Sequence, residues 1–137
     1  MAKLKKKQAQ QNKIKIPFEN DPDLDYPVFS FRHLQTKPSN PKDKPEFYAE
    51  FIERLNKISS LTWNKIINNT QKHGFGTEKI PINKIKRKVP AFITPDITHL
   101  TVFRATGDNR PFLGIRKGNV FHIIFIEERF GDVYDHY

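Results

Sequence analysis

The residues best suited to proton transfer stand at the C-terminus, where Tyr134 and His136 lie two positions apart. An extended chain would place both on one face, so a phenol and an imidazole would project together. Arg104, Arg110 and Arg116 lie at or near the ends of predicted neighbouring strands, within reach of one rim. Their planar guanidiniums suit a phosphate. Acid, base and clamp together are the set needed to cleave RNA without a metal. A base takes the ribose 2′-OH proton, cations hold the charged phosphorane, and an acid protonates the leaving 5′-oxygen.

A second constellation surrounds Gly74-Phe75-Gly76, where His73 and Glu78 can converge across a sharp turn as an alternative acid–base pair. Each feature also has a plainer reading. The arginines can pair with Asp108, Glu127, Glu128 or Asp132, His73 can cap a helix, and Tyr134 and His136 can simply cover a sheet edge. His122, inside an apolar strand, reads as a packed core histidine. Arg104 differs from the other arginines because it sits within a strand between Phe103 and Ala105, where a charge needs a partner.

Composition narrows the classes of function. The chain has 137 residues, enough for one domain, and 36% apolar with 12% aromatic content is enough for a core. It has no Cys, which excludes disulfides, thiol nucleophiles and Cys-type zinc or iron–sulfur sites. No metal triad, phosphate-binding loop, dinucleotide fingerprint or serine elbow is present, so no metal or cofactor is expected. The 24 Lys and Arg against 15 Asp and Glu give a net charge of +9, which favours a polyanionic partner, RNA first. No apolar run reaches the roughly 20 residues that span a bilayer, so no membrane role is expected and a cytoplasmic location fits.

The charge is concentrated in two places. Residues 1–15 carry six Lys and no acid, and read as a flexible, disordered basic arm. Residues 76–118 carry nine bases against three acids, including Lys79, Lys86, Arg87, Lys88, Arg110, Arg116 and Lys117, the candidate RNA-binding surface. Between them, 16–44 reads as a Pro-punctuated loop and a strand, VFSFRHLQ, joining the core. Its acidic part, PFENDPDLDYP, can lie against the basic surface.

The elements that must position these groups begin at Pro45. Phe47, Phe51, Leu55 and Ile58 form one helical stripe, with Tyr48 and Ile52 beside it. A second helix starts at Ser60 or Thr62 and turns Trp63, Ile66 and Ile67 inward. After Gly76 the period becomes two. EKIPI reads as an edge strand, and THLTVFRAT, PFLGIR, VFHIIFIE and DVYDH read as a meander. VFHIIFIE, apolar at both parities, should be the central strand. A Lys117-Gly118 turn would oppose Leu113 to His122. The expected fold is α+β, a single domain over 16–137 in which a two-helix hairpin (from residue 45) packs on a four- to five-stranded, mostly antiparallel twisted sheet.

From about Leu100 to His136 the strand TVFRA, the hairpin RPFLGIRKGNVFHIIFI and the terminal VYDH together resemble the RelE-type toxins. These belong to the barnase/EndoU/colicin/RelE-like group of small metal-independent ribonucleases. The resemblance implies an endoribonuclease of the toxin or phage-defence kind that binds RNA on the concave sheet face. It maps Arg104 and Arg116 to phosphate clamps and Tyr134 or His136 to the catalytic position. An acidic antitoxin or inhibitor, protein or RNA, would be a second partner. The competing reading is a non-catalytic RNA-binding or interaction module using the same basic face.

Overall fold

The computed structural model describes residues 21–36, 42–68 and 77–136. The basic arm and His73 lie outside them. The architecture is α+β, built from β1 (Val28–Ser30), α1 (Pro45–Ser59), α2 (Trp63–Asn68), β2 (Glu78–Pro81), β3 (His99–Arg104), β4 (Pro111–Lys117) and β5 (Val120–Ile126). The strands form one open sheet in the order β1-β5-β4-β3-β2. All pairs are antiparallel except β1 with β5.

Helix α1 forms where the stripe predicts. Pro45 occupies its first turn, where the missing N–H costs nothing, and Phe47, Phe51, Leu55 and Ile58 are buried. Ile52 is exposed, as is Ile67 of α2, while Trp63 and Ile66 point inward. The Thr62 hydroxyl accepts from the Lys65 amide at the start of α2. The indole of Trp63 donates to the Asn119 carbonyl at 3.0 Å, which ties the second helix to the β4–β5 turn.

The sheet is buried on both faces. Phe103, Phe112, Phe121, Ile123 and Ile126 pack under the helices. Leu100, Val102, Leu113, Ile124 and Phe125 form a second core, covered by Ile82, Ile85, Phe92, Ile93 and Ile97 and by Val133 and Tyr134. The face opposite the helices is therefore itself an apolar layer.

Three sequence expectations change. The strand from Val28 stops at Ser30, because the Ser30 hydroxyl accepts from the Arg32 amide and Leu34 N–H bonds back to the Phe31 carbonyl, which turns the chain. VFHIIFIE is an interior strand with neighbours on both sides, but the middle position belongs to β4. The hairpin turns at Gly118-Asn119, with Lys117 opposite Val120 and Ile115 opposite His122. Gly118 takes φ 63°, the left-handed conformation that a two-residue hairpin requires and that Lys117 would resist. A β-bulge between Leu113 and Gly114 adds Ile124 as the unmatched residue of β5. At the bulge a Cβ on Gly114 would run into the His122 carbonyl, 2.8 Å from its carbon.

Candidate active site

The site is built at the end of the second face. Glu127 directly follows β5, and its side chain is fully buried. Its Oε2 accepts from the backbone N–H of Val133 at 2.7 Å and of Tyr134 at 3.3 Å. Its Oε1 faces the Nε2 of His136 within hydrogen-bond reach. A carboxylate only accepts, so Nε2 donates, and in the neutral imidazole Nδ1 is left as the acceptor. The segment DVYDH is accordingly no strand. Glu127 holds the amides that a sheet ladder would have used.

Tyr134 and His136 nonetheless share a face, as expected, for a different reason. Their rings stack at 4.2 Å with 26° between planes. The segment is clamped from outside by the basic run: Lys86 N–H donates to the Val133 carbonyl, Arg87 Nε to the Asp132 carbonyl, and Lys86 Nζ pairs with Asp135 at 3.2 Å. Lys86 and Arg87 therefore hold the segment in place, and all three cations of the run, Lys88 included, are exposed.

A cavity of about 390 Å³ opens here, lined by Glu78, Ile80, Lys84, Tyr134, Asp135 and His136. Glu78 thus lines the same cavity as Tyr134 and His136. Burial, reinforced by the carboxylates of Glu127 and then Glu78, pushes the Tyr134 phenol up to about 12. The phenol stays protonated at neutral pH and is available as a donor.

Arg104 occupies the same face. It alternates with Leu100 and Val102 of the second core, pairs in register with Pro111, and lies diagonally from Glu78, whose partner is Val102. Diagonal neighbours on a sheet are about 7–8 Å apart. Among the described residues its guanidinium makes no hydrogen bond or ion pair.

The three arginines do not form one clamp. Arg110 and Arg116 lie near opposite ends of β4, about 20 Å apart at a strand's rise per residue, and on the helix side. Arg110 bonds Asp108 at 3.0 Å and the Glu128 carbonyl at 3.1 Å, over the Phe47 ring. Arg116 pairs with Asp23 and bonds the Gly118 carbonyl at 2.7 Å, over the Trp63 ring. Both are internally satisfied, and the acidic loop does lie on the basic surface.

A second, smaller cavity of about 190 Å³ is lined by Lys79, His99, Thr101, Arg116 and Lys117 with two isoleucines. Lys79 Nζ bonds the Thr101 hydroxyl there, and Lys117 lies over the Phe92 ring. His122 is half-buried rather than a core residue and packs against the stacked pair of His33 and Phe92, and its buried Nδ1 has no partner among the described residues.

Sequence reasoning missed Lys84 and Asp135, and it treated Glu127 only as a salt-bridge partner. An acid directly after a strand that is apolar but for His122 was the available signal. Among the described residues no three His, Asp or Glu are grouped as metal ligands, and no helix is long and apolar enough to cross a membrane. Compared with family models, curated proteins and solved structures, the chain matches none.

Proposed function

We propose that the protein is a metal-independent endoribonuclease that cleaves RNA by 2′-OH attack on phosphorus. The observation that carries this reading is the Glu127–His136 pair beside the Tyr134 phenol, at a cavity shared with Glu78 and Lys84. His136 Nδ1 accepts the 2′-OH proton as O2′ bonds to phosphorus. The O5′–P bond breaks, and Tyr134 delivers its proton to O5′. Lys84 and Arg104 stabilise the non-bridging oxygens. Glu127 orients the imidazole, and burial, reinforced by the charges of Glu127 and Glu78, keeps the phenol protonated. The products are a 2′,3′-cyclic phosphate and a 5′-hydroxyl. A toxin or defence role with an acidic antitoxin fits this activity.

The test is cleavage of single-stranded RNA by the purified full chain in EDTA. Cyclic-phosphate ends that vanish in His136→Ala and Tyr134→Phe are expected. Binding without cleavage would instead favour a non-catalytic RNA-binding module, a reading supported by the second cavity, whose side chains include four basic groups and no acid.

A further inference from the structure

Phe130 is 53% exposed, yet it is not an isolated surface ring. It stands edge-on to His136, with centroids 5.1 Å apart and planes at 89°. Together with Gly131, Asp135 and His136 it lines a separate cavity of about 180 Å³. Asp135 and His136 therefore form the partition between this cavity and the larger one. A half-exposed aromatic costs apolar hydration, and its own core contacts do not explain its position, since it belongs to neither apolar cluster.

We infer that the smaller cavity is a nucleobase subsite, in which the base of the nucleotide whose 2′-OH gives its proton to His136 stacks on Phe130 and presents an amino group to Asp135. This rests on the proposed nuclease reading for its substrate and adds a selectivity that reading does not contain. The geometry suits the chemistry on three counts. Any base has a π-face to lay on a phenylalanine, and stacking of this kind is tolerant of sequence. Asp135, whose carboxylate is 73% exposed and paired on one oxygen with Lys86, can only accept hydrogen bonds. It therefore accepts from the exocyclic amino group of adenine, cytosine or guanine, at edge positions where uracil carries carbonyl oxygens and leaves only its ring N3–H to donate. The imidazole also lines both cavities, so a base in the smaller one and a phosphate in the larger one would bring a 2′-hydroxyl to it.

The experiment has a catalytic arm and a binding arm. In the first, kcat/KM is measured on short RNAs that carry adenine, cytosine, guanine, uracil or no base on the ribose that supplies the attacking 2′-OH. Wild type should prefer amino-bearing bases over the abasic ribose by about 5- to 150-fold, the worth of one stacked base. Phe130→Ala should erase the preference over the abasic ribose, Phe130→Trp should retain it, and Asp135→Asn should narrow the gap to uracil. Equal loss on base-bearing and abasic substrates in Phe130→Ala would overturn the inference, because Phe130 would then only position His136. In the second arm, calorimetry compares adenosine 3′-monophosphate with ribose 3-phosphate. A base-dependent affinity lost in Phe130→Ala, in a protein that cuts no RNA, would keep the subsite and sink the nuclease reading. Cleavage with no base dependence in either arm would do the reverse.

Discussion

Glu127 and His136, nine positions apart, are joined at the end of the sheet by one hydrogen bond whose carboxylate end is fully buried and whose imidazole end reaches solvent. The carboxylate also holds two backbone amides, so its loss has two separable effects. Glu127→Ala strands the Val133 and Tyr134 N–H groups and should cost about 2–4 kcal/mol in denaturant unfolding. Glu127→Gln keeps the volume but presents an amide that cannot accept at both positions. It should lower cleavage about a hundredfold or more, within the range of a positioned general base, with a smaller stability loss. A Gln variant that cleaves at the wild-type rate would remove His136 from the chemistry.

Arg104→Ala should abolish cleavage with a melting temperature close to wild type, since its guanidinium has no partner among the described residues to lose. Arg104→Lys should restore only part of the activity, because an ammonium keeps the charge without the planar fork. Activity and thermal unfolding measured on the same protein decide the matter. An early-melting Arg104→Ala that cleaves normally would end its role as a phosphate clamp.

Phe51→Ala should destabilise by about 3–5 kcal/mol. Its ring is 2% exposed and lies 5.1 Å from Phe112, so truncation opens a void between α1 and the sheet. Equilibrium denaturation reads the loss directly.

Gly114→Ala is expected to be worse than its single methyl suggests. The added carbon meets the backbone of His122 and Ile123 rather than a side chain that can swing away. A loss of more than about 3 kcal/mol, or no soluble protein at all, is expected, and a small loss would mean that the bulge can open.

The pH dependence of stability should carry two signatures. Burial, then the neighbouring charges of His33, Lys117 and Arg32, hold His122 below its usual 6.5. The unfolded chain therefore binds the proton more readily, and stability should fall as pH drops below about 6.5. His122→Gln should flatten that limb. Tyr134 is shifted the other way, from 10.0 up to about 12, so its folded form holds a proton that the unfolded chain has lost. Stability should decline between those two values as pH rises, and Tyr134→Phe should lessen the slope. Unfolding free energies measured across pH on each variant separate the two.

What could be read in the sequence was whatever depends on near neighbours. The stripe of Phe47, Phe51, Leu55 and Ile58 repeats at helical spacing, and helix formation is local, so α1 was legible to the residue. The alternation of Leu100 and Val102 with Thr101 and Phe103 likewise sorted β3 between its two cores. VFSFRHLQ alternates just as well but ends at Ser30, because alternation cannot show where a partner strand stops. The chain comes back to β5 through Gln35 N–H to the Ile124 carbonyl and the Thr36 hydroxyl, which accepts from the Ile126 amide. Tyr134 and His136 were legible as a pair, but their carboxylate partner was not, since its burial depends on a return of the chain that no local pattern encodes.

The unmatched Ile124 reverses the sense of every residue after it. Ahead of the bulge the odd-numbered positions Phe121 and Ile123 point at the helices, and beyond it the even-numbered Ile126 does. Glu127 is odd. In an uninterrupted strand it would aim its charge into the layer of Phe51 and Phe112. One inserted residue sends it to the side where Tyr134 and His136 wait, so deletion of Ile124 would leave the composition of the strand almost intact while turning its acid inside out.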